Sequence, residues 1–272
     1  MVARNSTIFF RLSNMRFFDT HAHIGLIHDD PVEQLIICEE AKQAGVCGIL
    51  SISSNLRDFS IIHDNLRSLS HIHYGVGIAP SEVGTLNGDW EGLVEEQAQR
   101  ERVVAIGEIG LDYFRKYGDR DSQVELFVRQ LEVAERLHLP VVIHNRDAGG
   151  DTLQILRDKL PSRGGVLHCY SEDSDYARKA LELNLFISFA GNVTYRNARN
   201  LHDTLKQIPI ERMLIETESP FMVPSAHRGK RNRPAYIADT ANFIAQQRSM
   251  DVEELAEVLY QNSLTFFALD GA

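Results

Sequence analysis

Two hydrophobic rhythms alternate along the chain. Short continuous apolar runs, such as 46–51 and 140–143, have the character of strands buried on both faces. Between them lie segments whose apolar residues recur at helical spacing. Val32, Leu35, Ile36, Ala41 and Ala44 predict a first helix over 31–44, stopped at Gly45. Further helices are predicted over 55–69, 91–100, 122–137, 151–160, 175–183, 197–207, 234–247 and 252–267. Strands are predicted over 17–23, 46–51, 72–78, 103–107, 140–143, 165–167, 185–189 and 212–215.

Eight strands alternating with helices imply parallel strands with crossover helices. Over about 250 residues that pattern fits a closed (β/α)8 TIM-type barrel of the α/β class. An open doubly wound sheet would place a glycine-rich phosphate turn after its first strand. Here the first strand ends in His21-Ala22-His23 instead. No linker, repeat or low-complexity tract divides the chain, so residues 16–272 are expected to form one domain. Residues 1–15 are expected to be a weakly ordered extension, with an apolar cluster, Ile8-Phe9-Phe10, too short for a secretory signal.

Composition narrows the classes of function. Hydrophobic content of 43% supports a full core, and no apolar run approaches the ~20 residues of a membrane span. The formal charge of -10 excludes a chain coated in basic surface, so any nucleic-acid contact must be local. Cys38, Cys47 and Cys169 are odd in number and read as reduced thiols of a cytoplasmic protein.

Chemistry in such barrels gathers at the C-terminal ends of the strands. There the chain places His21 and His23, then Glu108, then His144 and Arg146, then His168, and finally Glu216 and Glu218. Imidazoles and carboxylates converging at one level suit divalent ions, with Glu108 central enough to bridge two of them. Period two puts Asp19 on the face of His21, one step deeper, where it is expected to orient a histidine. Glu216 lies one layer below Glu218 and is its alternative as a ligand.

Five motifs carry a family resemblance: Phe18-Asp19-Thr20-His21-Ala22-His23, Gly107-Glu108-Ile109-Gly110-Leu111-Asp112-Tyr113, His144-Asn145-Arg146-Asp147-Ala148, Gly165-Val166-Leu167-His168-Cys169-Tyr170 and Glu216-Thr217-Glu218-Ser219-Pro220. In this order they resemble the TatD family, metal-dependent deoxyribonucleases among the amidohydrolase-like barrels. The resemblance implies a barrel holding two divalent ions (Mg2+, Mn2+ or Zn2+) and hydrolysis of DNA phosphodiester bonds. By position it implies ligands at His21, His23, Glu108, His144, His168 and Glu218. Glu218, as the base that takes a proton from metal-bound water, and Glu108 are expected to act in catalysis. DNA, as single strands or 3′ ends, is the implied partner of a monomer that engages no membrane. Two departures stand out. The family usually has Asp where Glu218 stands, and it commonly shows Gly-x-His-Pro where this chain has Gly77-Ile78-Ala79-Pro80. The extra methylene of Glu218 is expected to retune metal choice, because metal–oxygen distances near ~2.0–2.2 Å leave little slack.

An acidic protein still has to grip a polyanion. Arg228, Lys230 and Arg231, in the densest basic stretch, are candidates for phosphate contact, against a solvated cationic loop. Arg146 is a second phosphate candidate, against an ordinary ion pair. Tyr113 and Tyr170 are candidates for base stacking, against simple packing. Two rival functions remain: hydrolysis of a small-molecule amide, ester or lactone, or of an aminoacyl-tRNA, on the same ions, and an eroded, non-catalytic barrel that binds nucleic acid.

Overall fold

The continuous apolar runs form eight parallel strands hydrogen-bonded in sequence order: β1 (Phe17–Ala22), β2 (Val46–Ile52), β3 (Ile72–Val76), β4 (Val103–Asp112), β5 (Val141–Arg146), β6 (Gly165–Leu167), β7 (Phe186–Phe189) and β8 (Met213–Ile215). This computed structural model describes residues 15–86 and 88–269. The expectation for residues 1–14 therefore lies outside the described residues. Met15, grouped with the extension on sequence grounds, is instead buried in the core at 5% exposure.

Helices occupy the crossovers: α1 (Ile24–Ile27), α2 (Pro31–Gln43), α3 (Leu56–Leu66), α4 (Trp90–Ala98), α5 (Arg120–Leu137), α6 (Gly149–Lys159), α7 (Ser174–Glu182), α8 (Arg199–Gln207), α9 (Ile237–Arg248) and α10 (Val252–Phe267). Six of these starts are set by side-chain caps. Asp30 accepts from the amides of Val32 and Glu33 ahead of α2, and Asp119 accepts from Ser122 ahead of α5. None of the described helices is long and apolar enough to cross a membrane.

Alternation along the strands divides the core. Phe18, Leu50, Ile52, Ala105, Val142, Val166 and Leu214 form one cluster, stopped by Tyr260, Leu264, Phe266 and Phe267 of α10. Their strand neighbours Phe17, Ile49, Ile106, Val141, Ile143, Leu167 and Ile215 pack outward with the helices. The first cluster fills the barrel, and α10 covers the end opposite the candidate site.

β4 runs five residues beyond its predicted end at 107, because Gly107 and Gly110 read as punctuation in the sequence but here permit close approach. A Cβ on Gly110, whose φ is +142°, would meet the carbonyl oxygen of His144 at 2.0 Å. Glycine is what lets β4 lie against β5 where Glu108 and His144 must meet.

Closure falls to a short strand. β8 has three residues, and the segment after it completes the seam with β1. Thr20 Oγ1 donates to the Ile215 carbonyl at 2.9 Å. Farther up, Glu218 N–H donates to the His21 carbonyl at 2.9 Å, and His23 N–H donates to that of Ser219 at 2.8 Å.

Gly110→Ala is expected to cost about 3 kcal/mol or more, lowering the thermal unfolding midpoint by roughly 10 °C. Circular dichroism melting checks this, and an unchanged midpoint would show that β5 yields freely.

Candidate metal centre

β1, β4, β5, β6 and the segment after β8 bring six of the expected residues together. Nε2 of His21 and Nε2 of His23 lie 3.1 Å apart. Glu108 stands between two groups of imidazoles, with a different oxygen toward each. Its Oε2 lies 3.7 Å from His21 Nε2 and 3.6 Å from His23 Nε2. Its Oε1 lies 2.8 Å from His144 Nδ1 and 3.5 Å from His168 Nε2. Glu218 Oε2 closes the first group at 3.3 Å from His21 Nε2. Within 4.8 Å of one another, donor atoms form three sets able to hold an ion: His21, His23 and Glu108; Glu108, His144 and His168; and His21, His168, Glu216 and Glu218.

The backs of three rings are engaged, which fixes what their inner nitrogens offer. His23 Nδ1 faces the Ile52 carbonyl at 3.2 Å, His144 Nε2 faces Asp112 Oδ2 at 3.2 Å, and His168 Nδ1 faces Glu216 Oε1 at 3.4 Å. A ring that donates outward presents a lone pair inward.

Charge balance also fits a cation. Burial lowers His21 and His23, and the His168 ring lowers both further, so these two favour the neutral form a ligand needs. Burial opposes charge on His144, yet hydrogen bonds to Asp112 and Glu108 raise it to about 8, protons standing where a cation would. Burial pushes the Glu218 carboxyl up to about 8, His168 opposing it and Glu108 and Glu216 adding to it. Glu218 Oε2 is buried with no hydrogen-bond partner among the described residues. Buried carboxylates short of partners are a strong fit for divalent ions.

Asp19 takes a different place from the expected one. The pairing of β1 with β2 slips between Phe17 and Phe18 and again between Asp19 and Ala22, which breaks period two. Asp19 touches no imidazole. Its Oδ1 accepts from Thr217 N–H at 2.8 Å, and its Oδ2 accepts from Thr217 Oγ1 at 2.5 Å. It fixes the segment carrying Glu216 and Glu218, and Glu216 does the histidine orienting, also accepting from Cys169 N–H at 2.8 Å.

Above these donors opens a cavity of about 290 Å³ whose wall includes His23, Glu108, His144, Glu218, Arg146 and Ala79. Arg146 lies 4.1 Å over the Phe114 ring, with no carboxylate ion pair among the described residues. Phe114 and Phe221 are 55% and 51% exposed. Tyr170 cannot stack on a base: it is 2% exposed, and its hydroxyl donates to the Asp173 carbonyl at 2.6 Å. Tyr113 donates to Asp151 Oδ2 at 2.7 Å, lies under Arg120, and is absent from the cavity wall. Of the basic stretch, Arg228 lines a separate cleft, Arg231 donates to the Leu26 carbonyl, and Lys230 is exposed.

Two residues escaped the sequence reading. Asp112 shares the strand face of Glu108 by period two, a signal that was present. Buried Asn232 donates to the carbonyls of Thr217 at 2.7 Å and Phe221 at 2.6 Å, pinning the segment after β8. Nothing in its neighbourhood on the chain announces that.

The eight-stranded barrel has the amidohydrolase-like fold, and the imidazoles and carboxylates gathered at its C-terminal strand ends are a donor set suited to a metal-dependent hydrolase. Within that class the chain belongs to the TatD related DNase family, whose model matches residues 18–268. It is 37% identical over 267 residues to the uncharacterized metal-dependent hydrolase YcfH of Escherichia coli K12, covering 95% of this chain and 98% of that one. The 3′-5′ ssDNA/RNA exonuclease TatD of Escherichia fergusonii is 33% identical over 241 residues, 86% of this chain and 92% of that one. The crystal structure of the TatD homologue YjjV from Escherichia coli superposes with a TM-score of 0.86 at 28% identity, covering 94% of this chain and 99% of that one.

Glu216→Gln and Asp112→Asn are each expected to weaken divalent-ion affinity by about 10–100-fold while the fold persists. Competition with a chromogenic chelator checks this, and unchanged affinity would remove both residues from the support of the rings.

Proposed function

We propose that this hydrolase cleaves phosphodiester bonds of DNA, with a preference for single strands. The observation that carries the reading is Glu108, whose two oxygens each face one pair of imidazoles under a cavity walled by Arg146. His21, His23, Glu218 and Glu108 Oε2 would hold one divalent ion. Glu108 Oε1, His144 and His168 would hold a second. Mixed nitrogen and oxygen donors suit Zn2+ or Mn2+, and the carboxylates also admit Mg2+. Held there, the ions supply Lewis acidity toward the phosphoryl group and lower the pKa of the attacking water.

The chain's own groups do the rest. Burial raises the Glu218 carboxyl to about 8 in the ion-free site; a divalent ion would offset that burial and hold it ionised, the form that can take the water's proton. Arg146 presents its guanidinium at the cavity wall, where its planar fork matches two phosphate oxygens. Phe114 below Arg146 keeps it from folding back, and exposed Phe221, whose ring centre is 6.3 Å from that of His23, offers a stacking face. The longer Glu218 side chain, on a left-handed backbone with φ 57°, still brings its Oε2 to 3.3 Å from His21 Nε2. A relative named as a single-stranded DNA and RNA exonuclease supports the same substrate class.

Protein stripped by a chelator is expected to lose release of nucleotides from labelled single-stranded DNA and to regain it when Mn2+, Mg2+ or Zn2+ is restored. No release with any ion, together with turnover of a lactone or aryl ester, would overturn the nuclease reading. Glu218→Gln, whose amide oxygen still offers the ion a donor, is expected to lower the rate by roughly two to four orders of magnitude while metal stays bound through the histidines and Glu108. Near-normal turnover in that variant would move the base elsewhere.

A further inference from the structure

Part of the positive charge on this acidic chain is spent in ion pairs along the helices. Arg100 pairs with Asp64, Arg129 with Glu91, Arg136 with Glu95, and Arg178 with Asp175 and Glu182. Arg196 and Arg228 are among the cations left unpaired, and they share one place. Both are exposed, neither has a carboxylate partner among the described residues, and both line one cleft of about 790 Å³.

The two arginines come from different loops, after β7 and after β8, and those loops are bound to each other. Ser225 N–H donates to Thr194 Oγ1 at 2.8 Å, and Ser225 Oγ donates to the Thr194 carbonyl at 2.9 Å. Tyr195 donates its hydroxyl to the Val223 carbonyl at 3.1 Å. The cleft is thus a tied structure, with its cations held toward one space.

One loop walls both this cleft and the cavity of the candidate metal centre. Phe221 and Met222 wall the cavity over Glu218, while Val223, Ser225 and Arg228 wall the cleft. A different flank of the centre has the other sign. A cavity of about 260 Å³ shares His23, Leu26 and Ser54 with the central one, and its wall carries Asp29 and Asp58. A polyanion entering the centre is repelled on that flank and attracted on the other.

We propose that the cleft of Arg196 and Arg228 is a phosphate-binding track that receives the backbone of a single-stranded nucleic acid beyond the bond being cut. The proposal rests on the nuclease reading and gives it a direction: the uncut strand leaves over residues 221–228. Lys230 and Arg231 lie outside this track, and Arg231 is already engaged by the Leu26 carbonyl.

The test uses the full chain and a fluorescent oligothymidylate with uncleavable phosphorothioate linkages, followed by anisotropy from 50 to 200 mM salt. R196A/R228A is expected to bind roughly tenfold more weakly at low salt, and its slope of log affinity against log salt is expected to be shallower by about 1.4, near 0.7 per lost contact. R178A/K179A, which removes equal charge from α7, is expected to match the wild type. If the wild type binds and cuts DNA but R196A/R228A keeps the wild-type slope, the track is overturned and the nuclease reading stands. A slope reduced equally by R178A/K179A also overturns the track, by showing that bulk charge is what matters. A wild type that neither binds nor cuts the strand overturns both readings.

Discussion

The carboxylate of Asp19 is the constraint on which the barrel and its site both depend. It is fully buried, burial raises it to about 7 against the hydrogen bonds that lower it, and both oxygens are given to Thr217. β8 is too short to close the sheet alone, so closure is completed by the segment 216–219, which carries Glu216 and Glu218. The bonds that seal the barrel therefore also set the position of the carboxylates around His21 and His168. Buried Asn232 braces the same segment from outside by holding the Thr217 and Phe221 carbonyls. Fold and site are here a single hydrogen-bonded unit.

What was legible in the sequence was whatever depends on local periodicity. Strands such as 141–143 and helices such as α10 are written in their own apolar spacing, and strand ends that carry His21, His23, His144 and His168 follow from chain order. The place of Glu108 between the imidazoles was legible for the same reason. What depends on register across the sheet was not. Asp19 left its expected face because β1 slips twice against β2. The far half of β4 was hidden because its glycines, which serve close contact with His144, look like turn residues. Asn232 was invisible because its two partners are 15 and 11 residues away through space-filling contacts. Tyr170 looked available for stacking because a tyrosine next to a ligand position gives no local sign of which way its ring turns.

The departures at Ala79 and Glu218 also read differently in three dimensions. Ala79 is buried at the cavity wall, and its amide donates to the Ser54 carbonyl at 2.9 Å. The backbone there is held whatever side chain it bears, so the loss is that of a donor into the cavity. Glu218 retains a carboxylate within reach of His21, His23 and His168. An eroded, non-catalytic barrel would have no reason to keep four imidazoles and a central carboxylate in mutual contact.

The seam has a consequence in time as well as in space. Asp19 and Thr217 are separated by 198 residues, so a growing chain carries its histidines from early in synthesis but cannot assemble them until the last strand has been made. Ions that bind only the assembled centre stabilise only the finished barrel. A truncated or stalled chain ending before β8 would keep His21, His23, Glu108, His144 and His168, yet lack the closure that brings Glu218 to them. Such fragments would lack the complete donor set, because the carboxylate that closes the first group of imidazoles comes with the seam itself.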